Sequence, residues 1–251
     1  VILLGAILWI SPGIGHTDME TFGVESPNLS DRPPVVDPDV SMRSSEADAP
    51  PAYGPEDAKL LIVVFSNFQC PHCRRASQAI HQIASEFPGE VRIELFHSAP
   101  PGKPGPEIDA VASIAAQKQG YFWQMYDKIL ANPHATSMST FEQYAQELGL
   151  DMKQFQSDMN DPAVKERVHS ESQLAIDLGY PATPIFFMNA KPYPGWASWK
   201  YFRSAVEREL RKARAMADDG MSPDEIHLQA AINNFDNSET FELYRTSILG
   251  Y

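Results

Sequence analysis

Only two of the 251 residues are cysteines, Cys70 and Cys73. That is too few, and too close together, for a disulfide scaffold, which uses several well-spread pairs. A bridge closing so small a ring removes little chain entropy, so the value of this pair is chemical. A structural zinc site needs four ligands. The chain has no second CxxC, and His81, His97 and His134 show no ligand spacing, so no metal is expected. No glycine-rich loop follows a strand-like run, which removes the usual cradle for a nucleotide, and no cofactor is expected. Lys and Arg number 20 against 33 acids, for a net charge of −13. That balance excludes the clustered cations by which proteins hold nucleic acid. No apolar run reaches the roughly 20 residues of a membrane-spanning helix.

What is present is unevenly distributed. Val1 to Ile10, VILLGAILWI, is apolar throughout. Residues 1–17 read as the truncated end of an export signal or a membrane anchor. Residues 18–52 follow as an acidic, proline-rich linker. Between Asp18 and Asp57 stand ten acids against Arg32 and Arg43, with seven prolines and few large apolar side chains. Such a stretch buries too little surface to offset its ordering entropy.

Folding signals begin at about Ala58. Leu60 to Phe65, LLIVVF, reads as a strand buried on both faces. Cys70-Pro71-His72-Cys73 follows a short turn and opens a helix with Ala76, Ala79, Ile80, Ile83, Ala84 and Phe87 at helical spacing, stopped by Pro88-Gly89. Val91 to Phe96 alternates apolar with charged and reads as a second strand. After a proline-rich turn, Pro100 to Pro106, helical segments are expected at 108–119, 121–130, 140–148 (capped by Ser139 or Thr140), 152–159 and 163–178. Ile185 to Met188 reads as a strand, Asn189-Ala190-Lys191 as a hairpin turn, and 193–195 as a last short strand. A charged amphipathic helix spans 199–216. Ser222 then caps a further helix with Pro223 in its first position. The expected organisation is a domain over 53–215, with a helical insertion at about 107–179, and a helical extension over 216–251. Phe122, Trp123 and Tyr126 read as core, Trp196 and Trp199 as packing for the closing helix, and the histidines other than His72 as incidental rather than catalytic.

Thiol–disulfide exchange needs a thiolate to attack and a second thiol to resolve the mixed disulfide. Cys70 sits where a helix begins, facing unpaired N–H groups and the positive end of the dipole, which lowers a thiol pKa. Cys73 is one turn on. This assigns Cys70 as the attacking thiol and Cys73 as the resolving one. Pro71 fits the first turn, where its missing N–H costs nothing. His72 is expected to place a donor or a positive charge near the Cys70 sulfur, which would stabilise the reduced form and make the disulfide oxidising.

The segment FSNFQCPHC, Phe65 to Cys73, resembles the active-site segment of the DsbA-like disulfide oxidoreductases. Ala112 to Trp123 (ASIAAQKQGYFW), Ala145 to Leu150 (AQELGL) and Thr183 to Asn189 (TPIFFMN) are similar to further blocks of that family, in order. The match runs from about Tyr53 to Ala215. The resemblance implies an α/β thioredoxin-like fold, a mixed sheet flanked by helices with a helical domain inserted. It also implies a cis Thr183–Pro184 bond beside the cysteines, with Thr183 and Pro184 meeting an extended substrate, as in strand addition. One departure is clear: Leu60 to Phe65 lacks the acidic residue that oxidases of this family carry in that strand. The function implied is that of an exported, periplasmic or otherwise extracytoplasmic enzyme, anchored through its N-terminus where that segment is an anchor rather than a cleaved signal. It would pass a Cys70–Cys73 disulfide to client proteins bearing thiols and be reoxidised by a membrane redox partner. Thr183 also occurs in isomerase-like and reductase-like relatives, so a reductase or isomerase stays open. So does a peptide-binding chaperone with an inert cysteine pair.

Overall fold

The computed structural model of the chain describes residues 49–100 and 102–251. The expected export or anchor segment, 1–17, and the linker as far as residue 48 lie outside the described residues. Among the described residues no helix is long and apolar enough to cross a membrane.

The strand that organises the fold is β2 (Leu60–Ser66), buried at every position. Successive strand side chains point to opposite faces. Leu60, Ile62 and Val64 accordingly enter one core, and Leu61, Val63 and Phe65 a second. A run with no polar alternation is what such two-sided burial demands. β2 pairs in parallel with β3 (Val91–His97) and antiparallel with β4 (Ile185–Met188). The two-residue β1 (Ala52–Tyr53) pairs with the outer side of β3, and β5 (Lys191–Pro194) with that of β4, giving the order β1-β3-β2-β4-β5. Parallel neighbours β2 and β3 require a crossover, which α1 (Pro71–Glu86) supplies. β4 and β5 are joined by Asn189 and Ala190, both at positive φ (43° and 64°), the backbone of a two-residue hairpin turn. The Asn189 side chain secures that turn, accepting from Leu61 N at 2.8 Å and donating to Lys59 O at 3.0 Å.

The first core lies between the sheet, α1, α2 (Pro104–Gln117), α3 (Phe122–Ala131) and α7 (Trp199–Asp218). Helices α2, α3, α4 (Met138–Glu147), α5 (Met152–Met159) and α6 (Pro162–Asp177) are inserted between β3 and β4. Phe122, Trp123 and Tyr126 are all buried there, while Trp196 and Trp199 pack against its edge. The second core brings Leu174, Ala175 and Leu178 of α6 and its C-terminus against the other sheet face. It is completed by Ala231 of α8 (Pro223–Asn234) and Tyr244 of α9 (Ser238–Ser247). The 216–251 extension is thus part of the sheet's cover. The Tyr244 ring, 1 % exposed, lies 5.7 Å from Phe187 and 5.1 Å from Phe235.

Several boundaries differ from the sequence reading, each for a local reason. Helix α2 begins at Pro104, because proline is accommodated in a first turn that needs no N–H there. Ser137, not Ser139 or Thr140, caps α4, accepting from Thr140 N. The helical extension holds a second helix after the one that Ser222 caps, α9, capped by Asn237. The linker ends sooner than residue 52. Ala49 O accepts from Gln117 Nε2 at 2.7 Å and from Arg167, Pro51 O accepts from Leu95 N, and Ala52 O accepts from Trp123 Nε1 at 3.1 Å. These partners belong to distant helices and strands, so composition alone could not reveal the attachment. At the other end of the chain, Tyr244→Ala is expected to lower stability by about 3 kcal/mol, the scale for deleting a buried aromatic side chain, with urea unfolding as the measurement.

Candidate active site

Ser66 ends β2 and hands the chain to a four-residue approach to α1. Within it Cys70 N donates to Asn67 O at 3.0 Å, and Gln69 N donates to Asn67 Oδ1 at 2.8 Å. Cys70 is the N-cap of α1, with extended backbone, and Pro71 occupies the first turn. The two thiols are free and unequal: Cys70 is partly exposed, Cys73 buried. Asn67 N donates to Cys73 Sγ at 3.4 Å, so the approach loop also holds the inner sulfur.

The Thr183–Pro184 peptide is cis, and β4 starts immediately after it. The Thr183 carbonyl oxygen lies 3.4 Å from Cys70 Sγ. A pair 113 residues apart in sequence therefore meets across the β2–β4 ladder.

These neighbours separate the thiols electrostatically. The Cys70 thiol is lowered to about 5, first by the hydrogen bond its sulfur receives from the Cys73 side chain, with burial opposing, then by the Cys73 backbone, the Thr183 side chain and the His72 backbone. Cys73 moves the opposite way: burial pushes it up, and its bond to Cys70 pushes further. The partly exposed sulfur thus favours the thiolate and the buried one the thiol, the division that exchange requires.

His72 is placed differently from the expectation. Its side chain is exposed and its Nδ1 lies 2.8 Å from Arg75 Nη2. Arginine only donates, so Nδ1 is the acceptor. The help residue 72 gives Cys70 comes from its backbone. Its side chain instead joins Thr183, Phe186, Trp196, Tyr201 and Phe202 around a groove of about 390 Å³ beside Cys70.

Other polar groups flank the site unannounced. His97 ends β3, opposite Ser66 in the ladder, and is 1 % exposed. Its backbone N donates to Glu171 Oε2 at 2.7 Å, its Nδ1 lies 2.6 Å from the same oxygen, and its Nε2 lies 2.9 Å from Ser113 Oγ. Burial pushes the Glu171 carboxyl up, but His97 and Arg167 outweigh it and hold it low. Ser172 adds a bond from Ala99 N at 2.8 Å. These contacts fix α6 to the end of β3. His97 therefore has a structural role, and a signal for its burial existed, since it continues the inward series Val91, Ile93, Leu95. Gln69 and Asp109, whose side chains meet beside the approach loop, were also missed. The only hint was a lone acid in the Ala-rich stretch of α2.

A sequence family described as Thioredoxin matches residues 46–208. The Na(+)/H(+) antiporter NhaA of Herminiimonas arsenicoxydans is 32 % identical over 185 residues, covering 74 % of this chain and 29 % of the relative. The chain spans less than a third of the length of the curated relatives it matches first. Among solved structures, a thioredoxin-like oxidoreductase from Silicibacter pomeroyi DSS-3 is similar at TM-score 0.58 and 27 % identity, over 66 % of this chain and 95 % of that one. The thiol-disulfide exchange protein α-DsbA2 of Wolbachia pipientis shares the fold at TM-score 0.57 and 19 % identity, over 63 % and 86 %.

Because the folded Cys70 value is depressed, its stabilisation of the reduced protein builds as pH rises above about 5 and is lost as pH falls through it. Alkylation of reduced protein by iodoacetamide, located to Cys70 by peptide mass, should show a midpoint at about pH 5. A midpoint near the free-thiol value of about 8.5 would contradict the geometry.

Proposed function

Since the chain belongs to the thioredoxin family, we propose that it is an extracytoplasmic thiol–disulfide oxidoreductase that donates the Cys70–Cys73 disulfide to reduced client proteins. The observation that carries this reading is the unequal thiol pair, Cys70 lowered to about 5 and Cys73 buried and raised. A client thiolate attacks Cys70 Sγ, the Cys70–Cys73 bond breaks, and Cys73 leaves with the electron pair and takes up a proton. A second client thiolate then attacks the client sulfur of the mixed disulfide. Cys70 departs as a stable thiolate, and the client keeps the new disulfide. A low-pKa leaving group speeds the last step and favours the donor direction.

Thr183 and Pro184 are the client-binding residues in this reading, with the Thr183 carbonyl offered to an extended segment beside Cys70. The apolar groove lined by Trp196, Tyr201 and Phe202 gives neighbouring client side chains a place to bury. Pro71 holds the first turn, and His72 contributes its backbone to the thiolate and its ring to the groove wall. A redox-active pair has most use where thiols are not kept reduced, which supports a location outside the cytoplasm. Each cycle leaves two electrons on the cysteines, and a membrane redox partner takes them. A chaperone with inert cysteines has no need of two thiols held so differently.

Oxidised protein mixed with a reduced, unfolded client should generate client disulfides stoichiometrically. Cys70→Ser should abolish transfer, while reduced Cys73→Ser should accumulate a mixed disulfide through Cys70 when given an oxidised client. Client folding assistance that survives Cys70→Ser, with no disulfide transfer by the wild type, would instead identify a chaperone.

A further inference from the structure

Asp109 lies on α2 with no exposed surface, and among the described residues its Oδ1 is buried without a hydrogen-bond partner. Its Oδ2 accepts from Gln69 Nε2 at 2.5 Å. The same Gln69 amide nitrogen donates to Thr136 Oγ1 at 3.0 Å, in the connection between α3 and α4. An amide nitrogen carries two protons, so both are used. Gly105 lies alongside without crowding it: even a Cβ built there would stand 3.9 Å from Gln69 Cδ and Nε2. The side chain is therefore held by two hydrogen bonds to the helical insertion, while its backbone immediately precedes Cys70.

A buried carboxyl with an unpaired oxygen costs stability, and folds tend to keep such groups where function uses them. Burial is the main influence on this one and pushes it up to about 6, with Gln69 and Thr136 pulling it down. We propose that Asp109 is a positioning residue for thiol exchange: through the Gln69 amide it fixes the backbone from which Cys70 enters α1. The route is short. The carboxylate anchors the Gln69 side chain, Gln69 N donates to Asn67 Oδ1, and Asn67 in turn bonds Cys70 N and Cys73 Sγ. Releasing the amide frees the turn that aims both sulfurs. The proposal rests on Cys70 being the attacking thiol, and it gives the inserted helices a part in the exchange.

The test compares stability with reactivity. Asp109→Leu removes the acceptor and the buried carboxyl together. It should leave the melting temperature unchanged or higher, yet slow iodoacetamide alkylation of Cys70 at pH 7 by about tenfold, the rate equivalent of one hydrogen bond. Asp109→Asn keeps an acceptor oxygen and should restore most of the rate. Gln69→Ala should slow alkylation to the same extent, and the double variant Asp109→Leu/Gln69→Ala should be no slower than the slower single one, because both cut one connection. A wild-type rate in Asp109→Leu, or single effects that multiply in the double variant, would overturn the proposal. If Asp109→Leu does not fold, Gln69→Ala alone decides: a slowed rate supports the positioning role and an unchanged rate overturns it. Failure of wild-type client oxidation with these rate differences intact would refute the proposed function and leave the positioning role standing.

Discussion

The difference in depth between the two sulfurs, Cys70 partly exposed and Cys73 buried, is the constraint on which the rest of the site depends. A thiol pair is symmetrical by composition; here it is made asymmetric by depth. Cys73 is sealed beneath the approach loop, where ionising would mean placing charge in an apolar interior. It therefore stays protonated and donates to Cys70, which is half-buried at the start of α1 and receives backbone support from the same turn. Remove either the burial of Cys73 or the helix start under Cys70, and the two thiols become interchangeable.

That asymmetry requires rigid surroundings, and the architecture supplies them from both faces of the sheet. β2 is clamped between two cores, so the point where it releases the chain at Ser66 is fixed. From there the approach loop is tied to three parts of the fold: Asn67 to Cys73, Gln69 to the insertion, Cys70 to Thr183 at the head of β4. The His97–Glu171 pair secures α6 beside the same loop. A buried, hydrogen-bonded polar pair adds little net stability, and its contribution here is better understood as fixing the insertion against the sheet. The C-terminal extension completes the second core by laying Tyr244 over Phe187.

Much of this was legible in the sequence, because the informative signals were local. Six consecutive apolar residues announced β2, and the helical spacing after Cys73 announced α1. Asn189-Ala190 between apolar strands marked the hairpin although it lacks glycine. The resemblance around Cys70 and Thr183 located both halves of the site. What was not legible depended on contacts across the fold. Nothing in Ala49 to Ala52 shows that their carbonyls meet Gln117, Arg167 and Trp123. The His72 ring was expected beside the Cys70 sulfur, but Arg75, one helical turn on, offers it a donor at 2.8 Å. Asp109 and Gln69 are 40 residues apart, and neither is unusual until α2 folds back beside the loop.

The proposed donor direction stands on selective stabilisation of the Cys70 thiolate, and on that reading the disulfide is oxidising. Equilibrating the Cys70–Cys73 pair against glutathione redox buffers measures this directly. A potential above about −200 mV is predicted, whereas a value near or below about −270 mV, the range of a reductant, would contradict the claim that the structure favours the reduced pair.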